Sequence, residues 1–328
     1  MREFIGIDVS KDKLDLCWLR DADCGKKKQK VFKNHLADFG HIKNWLIKEL
    51  KTEPKNIVVT LEPTNVYHEA LCYYLHKAGF KVLLVNTGKA KQFAESINMT
   101  HKTDKLDAFV LAQYGEAQKN KLTLWEPEAS EIRELKELIR RLEALEKDLQ
   151  REENRRDGYA LTQASEDVLE SSEEVINHLE EQIEKLTQKI DKHIDSNDDL
   201  KKDRALLQTI KGVGPVMSRE LTYLFAAKKF KTARQVAAFL GVIPKLITSG
   251  KFKGKSALSK VGPSRVRAKL YMAAVSASQH NPDIKHQRAK LIRNGKSKME
   301  ALCAAMRKLV QICFGVVNSQ SEYEPQVV

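Results

Sequence analysis

Apolar positions in the first third of the chain fall in short alternating or continuous runs, then give way to helical spacing. "EFIGIDV" (3–9), "KLDLCWL" (13–19) and "KQKVFKN" (28–34) predict three short strands joined by turns. "ADFGHIKNWLIKELK" (37–51) has an apolar face at helical spacing, and "NIVVTLE" (56–62) is a β-branched run suited to a buried strand. "YHEALCYYLHKAG" (67–79) predicts a helix closed by Gly79, and "FKVLLVN" (80–86) another strand. After "KTDKLDA" (102–108), Leu106, Phe109, Val110 and Leu111 recur at helical spacing. Three strands, a helix, then strand–helix–strand–helix predict an α/β domain with a mixed sheet, placed at residues 1–125.

Beyond it the pattern is helical. Leu135, Leu138, Leu142, Leu145 and Leu149 keep a 3-4 spacing, as do Ile176, Leu179, Ile183, Leu186 and Ile190. Two such runs, with a polar stretch containing Gly158 as the turn, predict an antiparallel coiled coil over 126–199 that self-associates. Residues 200–317 predict a helical domain, and 318–328 a flexible tail. The fold class is therefore α/β plus α.

Charge sharpens this division. The net charge of +13 separates into +4 over 1–130, −10 over 131–200, +21 over 201–310 and −2 over the last eighteen residues. A field that strong in a folded segment implies a polyanion partner, here nucleic acid. In "RALLQTIKGVGPVMSREL" one helix ends at Ile210, the chain turns through Gly212 and Gly214, and Pro215 starts the next helix. This pattern resembles a helix-hairpin-helix motif, in which Lys211, Gly212 and Gly214 hold a phosphate at a helix N-terminus. Lys245, Lys251, Lys253, Lys255, Lys260, Arg265 and Arg267 extend the basic set. The apolar runs are too short to span a membrane, and the N-terminus lacks the shape of a signal peptide. Five scattered cysteines without C-x-x-C spacing fit reduced thiols and a cytoplasmic, nucleoid-associated protein, and they argue against a structural zinc site.

Acidic residues in so basic a chain need a reason. Asp8 ends the apolar run "FIGI" and Glu62 ends "IVVTL"; a carboxylate at the end of a buried strand is costly without a partner. Asp104 and Asp107, at i and i+3, share one helix face. They can cap that helix, since acid suits its positive end. With Asp8 and Glu62 they can instead surround two divalent cations about 4 Å apart, where an all-oxygen donor set selects Mg²⁺ or Mn²⁺.

Strand–Asp, strand–Glu and a helical D-x-x-D resemble the RuvC-like branch of the RNase H fold. "GIDVSKDKLDL", "EPTNVYHEAL" and "KTDKLDAFVLA", followed in order by "TIKGVGPVMS", "QVAAFLGVIP", "TSGKFKGKSALSKVGPSRVRAKLYMAA" and "NGKSKMEALCAAMRKLVQICFGV", resemble the DEDD transposases of the one-ten family of insertion sequences. These are serine-containing recombinases associated with a bridge RNA, and they include pilin-gene invertases. The resemblance implies that Asp8, Glu62, Asp104 and Asp107 bind Mg²⁺ and that Ser249, in "TSG", attacks a DNA phosphodiester. It also implies DNA donor and target sites and a bridge RNA; the coil suggests a homodimer, and recombination joining two DNA duplexes suggests a tetramer on DNA. Asn65 stands where a glycine is expected, and Val266 where a leucine is expected. From spacing alone, Ser256, Ser259 and Ser264 lie in surroundings as basic as those of Ser249. Two other functions fit parts of the pattern: a junction-resolving nuclease using the four acids without a serine, and a non-catalytic nucleic-acid-binding protein.

Overall fold

The structure, a computed structural model, describes residues 2–21, 25–99, 103–245, 248–249, 252–253 and 257–326. The chain divides into two compact units, residues 1–127 and 128–328.

The first unit is built on a five-stranded sheet. Its strands are β1 (Glu3–Val9), β2 (Lys13–Asp21), β3 (Lys26–Lys33), β4 (Ile57–Leu61) and β5 (Lys81–Leu84), in the order β3-β2-β1-β4-β5. β1 pairs antiparallel with β2 and parallel with β4, so the predicted mixed sheet is present. β3 begins at Lys26, two residues before the predicted run, so Lys26, Lys27 and Lys28 all lie in the strand. Both faces of the sheet are covered. Ile5, Ile7, Leu14 and Leu16 meet α1 (Phe39–Leu50) and α2 (Glu69–Lys77) through Phe39, Ile42, Leu46, Leu71 and Leu75. On the other face, Phe4, Val58 and Leu83 pack with Ala90 of α3 (Thr87–Ser96) and Leu111 of α4 (Asp104–Ala117).

Side chains alternate between faces along a strand, so Phe4, Gly6 and Asp8 share the face that receives α4. There the helix comes down backbone to backbone. A Cβ on Gly6 would lie 1.9 Å from the Ala108 carbonyl oxygen and 2.4 Å from the Ala112 amide nitrogen. One turn on, a Cβ on Gly115 would lie 2.4 Å from Thr60 Oγ1. Small residues on both elements, Gly6 on the strand and Ala108, Ala112 and Gly115 on the helix, thus set the helix height over the sheet.

The second unit opens with α5 (Ser130–Leu161) and α6 (Glu166–Asp195). Leu135, Ile139 and Leu142 near the start of α5 share a core with Ile190 and Ile194 at the end of α6, so the two helices run antiparallel. The reversal is not at Gly158. The helix continues through that residue to Leu161, and the chain turns around Gln163, at φ 52°. Then follow α7 (Asp198–Gln208), α8 (Pro215–Ala227), α9 (Ala233–Phe239), α10 (Ser264–His280), α11 (Pro282–Arg293) and α12 (Lys298–Ser319). They enclose one core that includes Leu207, Leu221, Val236, Leu270, Ala274 and Leu309.

Between α9 and α10, in a domain expected to be helical, the described residues form four two-residue strands. These are β6 (Pro244–Lys245), β7 (Thr248–Ser249), β8 (Phe252–Lys253) and β9 (Ala257–Leu258); β7 pairs antiparallel with β8, and β6 with β9. The expected flexible tail is tied down through residue 326. The Tyr323 hydroxyl donates to Asp283 Oδ2 at 2.7 Å, its amide donates to Thr209 Oγ1 at 3.0 Å, and the Gln326 amide donates to Asp283. Cys17, Cys72, Cys303 and Cys313 are free thiols. No helix among the described residues is long and apolar enough to cross a membrane.

Gly6→Ala therefore forces α4 off the sheet, since the obstructing atoms are helix backbone. It should destabilise the protein by about 3 kcal/mol, the upper range for overpacking. Equilibrium urea unfolding measures this, and a cost near zero would show that α4 does not sit on Gly6.

Candidate metal centre and nucleic-acid surface

β1 and β2 form a hairpin whose register places Asp8 directly opposite Asp15. Ser10 fixes the turn: its amide and its hydroxyl both donate to the Lys13 carbonyl, at 3.0 and 2.9 Å. Glu62 follows the last residue of β4. Two residues before it, Thr60 lies beside Gly6 in the parallel ladder, so the alternation aims Glu62 at the face that holds Asp8. Asn65, next along, has φ 46°, a left-handed conformation that asparagine tolerates in place of the expected glycine.

Helix α4 brings the remaining acids. Its N-cap is Thr103, whose hydroxyl accepts from the Leu106 amide at 3.3 Å. Capping is thus done by the threonine, while Asp104 and Asp107 sit in the first turn. Three contacts hold that turn over the β2–β3 hairpin. Gln29 donates to the Lys105 carbonyl at 2.7 Å, the Lys27 ammonium lies 3.9 Å from the centre of the Phe109 ring, and the Lys13 ammonium lies 2.6 Å from Asp104 Oδ2.

Carboxylate oxygens of Asp8, Asp15 and Asp104 come within 4.8 Å of one another. Asp8 feels the crowding. Its pKa is pushed up to about 6, first by burial and then by the negative charges of Asp107, Asp104, Asp15 and Glu62. Of the four acids expected from the sequence, Asp8 and Asp104 converge with Asp15, while Asp107 and Glu62 add negative charge felt at Asp8. The structure adds Asp15, which is 5% exposed and which sequence reasoning passed over. Its signal was present: a tight turn at residues 10–12 pairs position 8 with position 15. Oxygen donors alone, three of them converging, suit a hard divalent cation and not zinc.

The predicted DNA contacts divide. Lys211 is exposed and a Cβ on Gly214 would meet nothing within 4 Å, so both are open to a ligand. Gly212, at φ 101°, is needed for packing, because a Cβ there would lie 2.5 Å from that of Ala277. Lys245 and Lys260 are exposed. Arg265 is not turned to solvent: it pairs with Glu143 at 2.6 Å and with the buried Glu220 at 2.7 Å, and burial lowers its pKa to about 10. Arg267 donates to the Leu240 carbonyl at 3.3 Å. The backbone of Ser249 lies in β7 opposite Phe252, and Lys253 lies opposite Thr248. Lys251, Lys255 and Ser256 lie outside the described residues.

Residues 5–166 match the IS110-type DEDD transposase family, described as a transposase, and residues 204–289 match the transposase family IS116/IS110/IS902. The pilin gene-inverting protein of Moraxella bovis is 26% identical over 335 residues, covering 99% of both chains; that of Moraxella lacunata is 26% identical over 332 residues with the same coverage. Among solved structures, Thermus thermophilus RuvC in complex with a Holliday junction substrate is similar at 14% identity, covering 37% of this chain and 98% of that one with a TM-score of 0.28. A second structure of that RuvC has a TM-score of 0.27. The protein is a DNA transposase of the recombinase type. It belongs to the IS110 family of insertion-sequence transposases.

Asp8 also fixes a pH dependence. Its pKa in the folded, metal-free chain, about 6, exceeds its ordinary 3.8, so its contribution to stability is complete below about pH 4 and lost as pH rises through 6. In chelator the wild type should lose a few degrees of Tm between about pH 4 and about pH 7 relative to Asp8→Asn. Asp107→Asn should move the Asp8 titration, followed by NMR, toward the ordinary range. An Asp8 titration unmoved in that variant would separate Asp107 from the cluster.

Proposed function

We propose that this transposase cuts and rejoins DNA through a phosphoserine intermediate, with Ser249 as nucleophile and Asp8, Glu62, Asp104 and Asp107 as ligands for Mg²⁺ or Mn²⁺. The observation that carries the metal reading is the convergence of Asp8, Asp15 and Asp104 on the face under α4, with Asp107 and Glu62 adding to the charge on Asp8. When bound, a pair of such cations stabilises the attacking and leaving oxygens of a phosphodiester displacement. The first unit is read as an RNase H-like, RuvC-like nuclease fold, in keeping with its strand order and its acids at strand ends.

The serine reading rests on the family resemblance and on the basic hairpin that carries Ser249. Its hydroxyl oxygen attacks phosphorus, a phosphoserine ester forms, and the departing deoxyribose oxygen takes up a proton. Rejoining reverses these changes with a different strand end, so no bond energy is lost. Lys245, Lys251, Lys253, Lys255 and Lys260 hold the phosphate by charge, and Lys211 and Gly214 of the helix-hairpin-helix motif fix the duplex without reading its sequence. Arg265 is better explained as a structural ion pair. Guidance by a bridge RNA, an antiparallel coiled coil of α5 and α6, and a homodimer that becomes a tetramer on DNA complete the reading; the first rests on the resemblance, the second on the apolar 3-4 spacing, and the third on that coil and on the need to join two duplexes. In functional terms the chain then has a metal-binding part (1–125), a coiled-coil linker (126–199) and a DNA-binding serine part (200–317).

A junction-resolving nuclease is the second reading, favoured by the acidic cluster alone, in which water attacks and no adduct forms. Covalent trapping separates the two. Wild-type protein quenched in denaturant during reaction should carry attached DNA. Ser249→Ala should lose the adduct and strand exchange by more than about a hundredfold while binding DNA as before, since one hydroxyl adds little beside many phosphate contacts. Ser259→Ala should keep the adduct. Normal cleavage by Ser249→Ala would favour the nuclease.

A further inference from the structure

Lys13 stands at the first position of β2, outside every acidic motif, yet its ammonium enters the cluster. It lies 2.6 Å from Asp104 Oδ2 and 3.1 Å from Asp15 Oδ2, two of the three carboxylates that converge. The contact is built into the backbone. Lys13 follows the Ser10 turn, where its carbonyl accepts twice and its amide donates to Ser10 Oγ at 3.3 Å. Asp15 is a cross-strand neighbour of Asp8, and Asp104 is set on the first turn of α4. A fixed turn, a strand and a helix end thus deliver one cation to the oxygens that a metal would use.

We infer that Lys13 is a resident counter-cation of the acidic site, bridging Asp15 and Asp104 in the metal-free chain and giving way when a divalent cation takes those oxygens. The inference deepens the metal-binding reading and rests on it. Like charges gathered at one place repel, and a cluster of carboxylates without a cation would push the first turn of α4 away from β2. One ammonium shared by two carboxylates offsets part of that repulsion. The Lys13 side chain is 47% exposed, so it can swing into water on its flexible stem. A divalent ion that draws in three carboxylates offers more charge than the ammonium and replaces it. Lys13 is therefore a positioning residue: it keeps the ligands assembled and, by competing, sets how much free metal is needed to fill the site.

The test uses the full chain, freed of metal by chelator and titrated with Mn²⁺, followed by loss of the free-ion EPR signal. Lys13→Gln removes the competing charge and should bind Mn²⁺ roughly tenfold more tightly than wild type. Lys13→Arg keeps the charge and should stay within about twofold of wild type. In chelator Lys13→Gln should also melt below the wild type, and saturating Mn²⁺ should close that gap, which a merely structural lysine would leave open. Unchanged or weaker Mn²⁺ binding by Lys13→Gln, with normal binding by wild type, would overturn this inference alone. A wild-type protein that takes up no Mn²⁺ would overturn the metal reading and this inference with it.

Discussion

The site depends on one close approach, that of helix α4 to strand β1 at Gly6. Helix and strand backbones touch there because neither side offers more than a methyl group, with Ala108 and Ala112 facing the glycine. Larger side chains would hold the helix several ångströms higher, since helices normally pack on sheets across layers of side chains. Asp104 would then stand away from Asp8. The hydrophobic contacts around the crossing, among them Phe4, Val58 and Leu111, supply the drive, and Gly6 sets the distance at which it acts.

The acidic cluster is an electrostatic burden the fold carries in the metal-free state. Asp8 answers it by holding its proton to higher pH, and Lys13 by lending a positive charge. Natural folds accept such local conflict where function needs it. The basic unit shows the opposite economy. Arg265 and Lys269 on α10 meet Glu220 of α8 and Glu143 and Glu146 of α5, while Asp191 of α6 meets Arg204 and Arg219. These ion pairs bind the acidic helical hairpin to the basic helices behind it, so the +21 block is not all surface. Part of it neutralises the −10 hairpin, and the exposed remainder faces solvent.

Much of this was legible in the sequence. The order of strands and helices in the first unit followed from apolar spacing, and the four acids were found because strand ends and an i, i+3 pair have fixed geometry. The rest was hidden for physical reasons. Helix α3, "TGKAKQFAES", buries only Ala90, so its apolar signal is too sparse to mark a helix. Gly158 suggested a turn, but one glycine in a long helix costs only about 1 kcal/mol, little beside the packing of α5 on α6. Asp15 depended on hairpin register, set by a turn and not by its own neighbours. Arg265 looked like a DNA contact because its acidic partners lie about 45 and 120 residues away, a separation no local pattern records. Tyr323 reads as part of a polar tail, and only the fold brings Asp283 beneath it.

The central claim is that the crossing of α4 over β1 assembles a divalent-cation site. Crystals of the full-length protein soaked in Mn²⁺ and measured at the manganese absorption edge test it most directly. The account predicts anomalous density bonded to carboxylate oxygens of Asp8 and Asp104. Manganese found only elsewhere on the chain, with those carboxylates left unligated, would contradict it.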